Sequence, residues 1–194
     1  MSPVAWLSPT TAPAMALAHA MGQAAPQFAT ERLRLRLPVL ADYPAYEAVL
    51  TSDRARYVDG PYSPAGAWAD FAEGVAGWLL RGAGMWTVTT RDSHAALGWI
   101  YLWQQRGRPE PELGFIFTEA GEGHGFAHEA SLAVLPHATA LFGAGGFVSY
   151  IHRDNAASAR LATRLGAIRD AVAEAAYGQP ALHIYRHATT PGVS

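Results

Sequence analysis

The segment Gly121-Glu122-Gly123-His124-Gly125-Phe126-Ala127-His128-Glu129-Ala130 sets three alternating glycines and two histidines within ten residues. It follows a strand-like run, Glu112 to Phe117, and precedes residues with helical apolar spacing, Ala130, Val134 and Leu141. A strand, a glycine loop and a helix in this order aim free backbone N–H groups and the positive end of a helix at one point. Such a point can hold an anion without any lysine. Glycine suits it because its backbone approaches a phosphate closely and takes positive φ readily.

Several chemistries compete for this loop. A dinucleotide fold needs G-x-G-x-x-G and an acidic residue roughly 20 positions on; here the spacing is G-x-G-x-G, and the second position falls around Gly145. The G-K-[ST] of a nucleoside-triphosphate loop is absent. A metal could use His124 and His128, spaced i, i+4, but the catalytic H-E-x-x-H would need histidine at 131, where Ser131 stands. His137 or His152 would have to complete such a site, and a zinc-dependent hydrolase built on His124 and His128 is the alternative it defines.

Further along, Asn155 and Ser158 stand at i, i+3 in the first turn of a predicted helix that follows a buried strand. Two small polar side chains placed so can hydrogen-bond one ligand lying along the sheet. The competing reading makes Asn155 only a helix cap and Ser158 only a surface residue.

Outward from these motifs the chain reads as one α/β domain. Thr30 to Pro38 alternates leucine with arginine at period two, a half-buried strand near a sheet edge. Ala41 to Leu50 and Ser63-Pro64 to about Leu80 are predicted helices, the second with a serine cap and a proline in its first turn. The loop between them, Tyr57 to Tyr62, carries aromatic residues of exposed character. Met85 to Thr90, Leu97 to Gln104 and Glu112 to Phe117 are rich in β-branched and aromatic residues and form a predicted antiparallel meander. Phe126 to about Phe142 is a helix that Pro136 must kink or end. Phe147 to Ile151 is a buried strand, Asp154-Asn155 open a helix through Leu165 that stops at Gly166, and short strands near Ile168 and His183 to Arg186 follow. This order predicts an α/β fold with a mixed, mostly antiparallel sheet.

Of 194 residues, 50% are hydrophobic and 15% charged, which suits one packed domain rather than a disordered chain. A net charge of −2 argues against a sequence-independent nucleic-acid binder. All 14 basic residues are arginine, and no cysteine is present, which excludes disulfides, thiolate metal ligands and a cysteine nucleophile. No run approaches the roughly 18 apolar residues of a membrane span, and a cytoplasmic address is expected. Residues 1–27 are rich in alanine, lack a cation at their start and are broken by Pro3, Pro9, Pro13 and Pro26. They are expected to be a poorly ordered extension, with Trp6 and Leu7 as bulky exceptions, ahead of a domain at 28–188 and a tail at 189–194.

The run Glu112-Leu113-Gly114-Phe115-Ile116-Phe117, the glycine loop after it, and Asn155-Ala156-Ala157-Ser158 with Arg160-Leu161 and Leu165-Gly166 form an ordered set. Together with the opening Thr30 to Arg36 they resemble the GNAT superfamily of N-acetyltransferases, in its RimJ/RimL-like branch of ribosomal-protein acetyltransferases, over about Phe28 to Arg186. The resemblance implies the GNAT fold, a mostly antiparallel central sheet flanked by helices and splayed at its two central strands. It implies acetyl-coenzyme A (acetyl-CoA) as cosubstrate, no metal, and acetyl transfer by direct attack of a primary amine. The pyrophosphate would be held by main-chain N–H groups of Gly121, Gly123, His124, Gly125, Phe126 and Ala127. Ala120 stands where the family pattern has glutamine or arginine, which removes a side-chain contact.

By the same resemblance the pantetheine arm would lie beside Ile116, Phe117 and Thr118, with Asn155 and Ser158 at its thiol end and a main-chain N–H near Phe117 polarising the thioester carbonyl. Many relatives carry a tyrosine acid where this chain has Ala162, so Ser158, a water or no acid serves. Glu112 is the leading general base, acting through a water, with Glu110 and His152 behind it; its bland alternative is a strand residue paired with an arginine. The acceptor side would use Tyr57, Tyr62, Trp68, Phe71 and Trp86, and the acceptor would be a small-molecule amine or a protein N-terminus. Neither nucleic acid nor membrane is expected as a partner, and a homodimer is an option. The absent tyrosine also fits a non-catalytic acyl-CoA-binding or sensing domain.

Overall fold

Leucine at every second position decides how the first long strand sits: Leu33 and Leu35 are fully buried, and Arg34 between them is exposed. In the computed structural model, which describes residue 7 and residues 11–187, this strand is β2 (Leu33–Arg36). Trp6 and the tail read at 189–194 lie outside the described residues. The remaining strands are β1 (Phe28–Ala29), β3 (Met85–Thr90), β4 (Gly98–Trp103), β5 (Glu112–Phe117), β6 (Val148–His152), β7 (Ile168–Arg169) and β8 (Leu182–Arg186). The helices are α1 (Ala12–Ala24), α2 (Tyr43–Leu50), α3 (Pro64–Arg81), α4 (Phe126–Phe142), α5 (Ala156–Arg164) and α6 (Ala171–Tyr177).

All eight strands form one sheet in the order β1-β2-β3-β4-β5-β6-β8-β7, antiparallel throughout except where β5 meets β6. β4 and β5 match over six residue pairs, whereas the parallel β5 and β6 match only at Glu112 and Val148. The sheet therefore parts between β5 and β6 toward their C-terminal ends.

Because β3 and β4 are buried on both faces, each side of the sheet is covered. One face packs Leu35, Trp86, Ile100, Leu102 and Leu113 against Val134, Leu135 and Ala138 of α4. The other packs Met85, Trp99, Tyr101 and Trp103 against Tyr43, Tyr46 and Phe71 of α2 and α3. Full burial of one such large side chain contributes about 1.5–3 kcal/mol. Gly74 lets α3 settle onto β3, since a Cβ there would lie 3.0 Å from that of Met85.

Four elements differ from the sequence expectation. α4 continues through Pro136, so of the kink or end expected there the end does not occur; the carbonyl this proline leaves without a helical partner belongs to Leu132, an exposed residue. Within residues 1–27, Thr11 caps α1, Pro13 occupies its first turn where no N–H is needed, and none of its residues is buried. The Pro26 carbonyl beyond it accepts from Trp86 Nε1 at 2.7 Å. α6, capped by Asp170, and the two-residue β1 were not anticipated. No helix among the described residues is long and apolar enough to cross a membrane.

Candidate functional site

After β5 the backbone makes a tight turn. Thr118 caps it with its hydroxyl, and the Gly121 N–H is bonded back to the Thr118 carbonyl at 3.0 Å. A Cβ on Gly121 would lie 2.2 Å from the Leu97 carbonyl, so this glycine serves close packing. Its amide is therefore spent inside the turn, which corrects the expectation that it meets a ligand. Gly123 and Gly125 have φ of 78° and 76°, and Gly125 caps α4 without a side-chain bond. The Glu129 N–H reaches the Gly125 carbonyl at 3.1 Å. The N–H groups of Phe126, Ala127 and His128 before it are those that every helix start leaves free.

His124 precedes α4 and its ring stacks on Phe126 at 5.3 Å, so His124 and His128 do not share a helix face as the metal reading required. Among the described residues no group of three or more histidine or acidic side chains could hold a metal ion.

The loop is clamped from the connection between β1 and β2. Glu129 accepts from the Thr30 hydroxyl at 2.5 Å, the Arg32 N–H at 3.0 Å and Arg32 Nε at 2.7 Å. Burial alone would raise the Glu129 pKa, but these bonds outweigh it and hold the carboxyl below its ordinary range. Arg32 also donates to the His124 carbonyl at 3.1 Å and lies 4.7 Å over the Phe126 ring. A second pair, Arg54 with Glu122, ties the loop to the turn after α2.

The gap between β5 and β6 widens toward this loop. At its narrow end the Val148 N–H donates to the Pro111 carbonyl at 3.0 Å, and the Ser149 hydroxyl bridges to the Leu113 carbonyl at 2.5 Å. Having given its proton to Leu113, Ser149 accepts from His187 Nε2 at 3.0 Å. Burial holds the His187 pKa down to about 4, so the ring is neutral. By strand alternation, main-chain groups of Phe115 and Phe117 face the gap as that of Leu113 does. Across it, Asn155 Oδ1 accepts from the Ser158 N–H at 3.1 Å, so Asn155 caps α5, and both residues line the cavity described next. Ala162 is fully buried and offers no acid.

A cavity occupies the narrow end on the α2/α3 side of the sheet. Glu112, Ile116, Tyr57, Tyr62, His152, Asn155 and Ser158 are brought together around it. Burial pushes the Glu112 pKa up to about 7, opposed by the Arg108 guanidinium and the Trp103 indole and reinforced by Asp59 and Asp70. Arg108 pairs with Asp59, and Glu112 forms no ion pair among the described residues.

Other expected residues fall elsewhere. Trp86 is fully buried on the opposite face of the sheet, Phe71 is core between α2 and α3, and Trp68 packs edge-on to Tyr43 at 5.1 Å. None of the three lines the cavity. Glu110 is held by Arg186 through two bonds of 2.6 and 2.9 Å, which removes it as a free base. Sequence reasoning missed Asp70, Tyr101 and Arg108, which line the cavity. Tyr46 donates to Asp70 and sits 2.7 Å from the Tyr101 hydroxyl. Burial, with the charges of Glu73 and Asp59, raises the Asp70 pKa to about 6 against the Tyr46 hydrogen bond.

A sheet parted between two parallel strands, with a glycine-headed helix at the wide mouth of the gap, defines a class of acyl-group transferases. The family model described as an acetyltransferase (GNAT) domain matches residues 32–168, and the chain belongs to the GNAT acetyltransferase family. An acetyltransferase from Agrobacterium tumefaciens C58 is 33% identical over 84% of this chain and 95% of its own, with a TM-score of 0.79. A GNAT-family acetyltransferase from Bordetella pertussis is 26% identical, covering 83% and 98%, at 0.64. RimL, a ribosomal α-N-protein acetyltransferase solved with coenzyme A, shares the fold at 16% identity, 83% and 97% coverage and a TM-score of 0.63. No curated protein sequence matches the chain.

Proposed function

We propose that the protein transfers an acetyl group from acetyl-CoA to a primary amine by direct attack. The observation that carries this reading is the single register pair between β5 and β6, which opens a wedge leading from the glycine loop to Glu112. The residues fit the cosubstrate: positive-φ glycines and the open first turn of α4 suit a diphosphate, and unpaired main-chain edges suit an amide-bearing arm laid between strands. When bound, acetyl-CoA supplies a thioester whose carbon–sulfur bond breaks as the amine's nitrogen–carbon bond forms.

The chain's own residues hold the partners in line and move the proton, and alignment of two bound reactants is itself a large part of such catalysis. Phe126 and Ala127 offer N–H groups to the diphosphate. Ionised Glu112 takes the proton from the attacking nitrogen, directly or through a water, and its raised pKa places it near the pH where a base is both available and effective. Ser158 or solvent returns a proton to the departing sulfur. Tyr57 and Tyr62 flank the amine.

Incubation of the protein with acetyl-CoA and a panel of primary amines and peptides tests this, by mass spectrometry of the acceptor and by thiol release. Acetylated product with stoichiometric thiol is expected. The buried Ala162, where an acid could stand, favours a second reading as an acyl-CoA sensor, and tight acetyl-CoA binding without any acetylated product would establish it.

A further inference from the structure

The cavity beside Glu112 opens outward into a second groove, and the two share Tyr57, Asp59, Gln105, Arg108, His152 and Leu182. Charge reverses along this path. Inside stand Glu112 and Asp70, which favour an ammonium group. The outer groove adds Arg56 and Arg106 to Arg108.

Arg108 is fixed at the junction, donating to Asp59 Oδ2 at 3.2 Å and to the Tyr177 hydroxyl at 3.2 Å, with its guanidinium 4.9 Å over the Tyr150 ring. Asp59 is thus already committed. Arg56 donates to the Asp53 carbonyl at 3.0 Å and lies 4.6 Å over the Tyr57 ring. Arg56 and Arg106 are exposed, and neither joins an ion pair among the described residues. In a protein of net charge −2 the groove therefore presents two arginines without a carboxylate partner, directly outside a cavity suited to an amine.

Resting on the acetyltransferase reading above, we propose that the acceptor is the N-terminus of an acidic peptide. Its α-ammonium group enters the cavity at Glu112, and carboxylates on its next few residues lie along Arg108, Arg56 and Arg106. An extended chain advances about 3.3 Å per residue, so a peptide leaving the cavity carries its second to fourth side chains through the groove. A small amine would fill the cavity and leave the outer arginines without a counter-charge. Exposed pairs of this kind act mainly through selectivity and capture rate, and salt screens them.

The test uses the full chain with acetyl-CoA and three acceptor types: peptides X-Glu-Asp-Glu-Trp-Gly, peptides X-Arg-Gln-Arg-Trp-Gly, with X as Ala, Ser, Thr or Met, and free glutamate. The acidic series is expected to show kcat/KM about tenfold or more above the basic series, an advantage that shrinks as salt rises. The double charge reversal Arg56→Glu with Arg106→Glu is expected to invert that preference while the Kd for acetyl-CoA stays unchanged, which also shows that the variant is folded. Equal use of both series, a preference for the basic one, better use of glutamate than of either, no acetylated acceptor despite bound acetyl-CoA, or an unchanged preference in the variant would each overturn the proposal. Failure of the wild-type protein to bind acetyl-CoA would instead remove the reading on which it rests.

Discussion

Glu112 faces Val148 across the one register pair that joins β5 to β6. Its carboxylate therefore stands at the vertex of the wedge and lines the cavity together with Tyr57 and Tyr62.

Ionised Glu112 is needed to accept a proton, so activity should rise with pH through about 7 and level off above it. Glu112→Gln should lower kcat by about 100-fold or more and abolish that limb of the profile. Its Kd for acetyl-CoA should not change, since the carboxylate faces the cavity rather than the glycine loop. Steady-state kinetics across pH, with acetyl-CoA affinity measured alongside, check both halves.

In the loop the glycines, not the histidines, should carry cosubstrate binding. Gly125→Val places a β-branched residue at φ 76°, a strain of about 1–3 kcal/mol, and crowds the open first turn; acetyl-CoA binding should be lost. His124→Ala should leave the Kd nearly unchanged because that ring is exposed. Gly121→Ala should lower the melting temperature, as its Cβ meets the Leu97 carbonyl. Calorimetric titration and melting curves of the three variants separate these outcomes.

Arg32→Ala should weaken acetyl-CoA binding by about fivefold or more without contact between Arg32 and the reacting atoms, because it frees Glu129 and the His124 carbonyl. Glu129→Gln should act on the same clamp, so the double variant should lose less than the two single losses added. A double-mutant cycle on Kd measures this.

Stability should depend on pH in two opposite senses. Glu174 is lowered from its ordinary 4.5 to about 2, first by the hydrogen bonds from Arg169, so its contribution is complete above about 4.5 and lost as pH falls toward 2. Glu112 is raised to about 7, so ionising it costs stability as pH rises from about 4.5 to 7. Melting curves should show Glu174→Gln flattening the acid limb and Glu112→Gln flattening the decline above it.

Much of this was readable from the chain. β3, β4 and β5 announce themselves through β-branched and aromatic runs, and Ser63 with Pro64 marks the start of α3 to the residue. The glycine loop and its helix were legible because free amides and positive φ are local properties. What escaped were facts of juxtaposition. Met85 and Trp86 are large apolar neighbours buried on opposite faces of one strand, so alternation alone does not tell that Trp86 faces α4 while Tyr101 on the next strand faces the cavity. Asp70 lies mid-helix, and only the approach of Tyr46 and Tyr101 gives it a role. Glu110 reads as a spare base in the sequence, but Arg186, 76 residues on, holds it in the fold. α1 is hard to read in the sequence because it has no buried stripe to give it a period, and Pro13 falls within its first turn.

Thermal unfolding with and without acetyl-CoA tests the central claim most directly. A ligand at 100 times its Kd stabilises a native state by about 2.7 kcal/mol, so the melting temperature should climb as acetyl-CoA is added and should not climb in Gly125→Val. A wild-type melting temperature that stays fixed at millimolar acetyl-CoA would contradict the account.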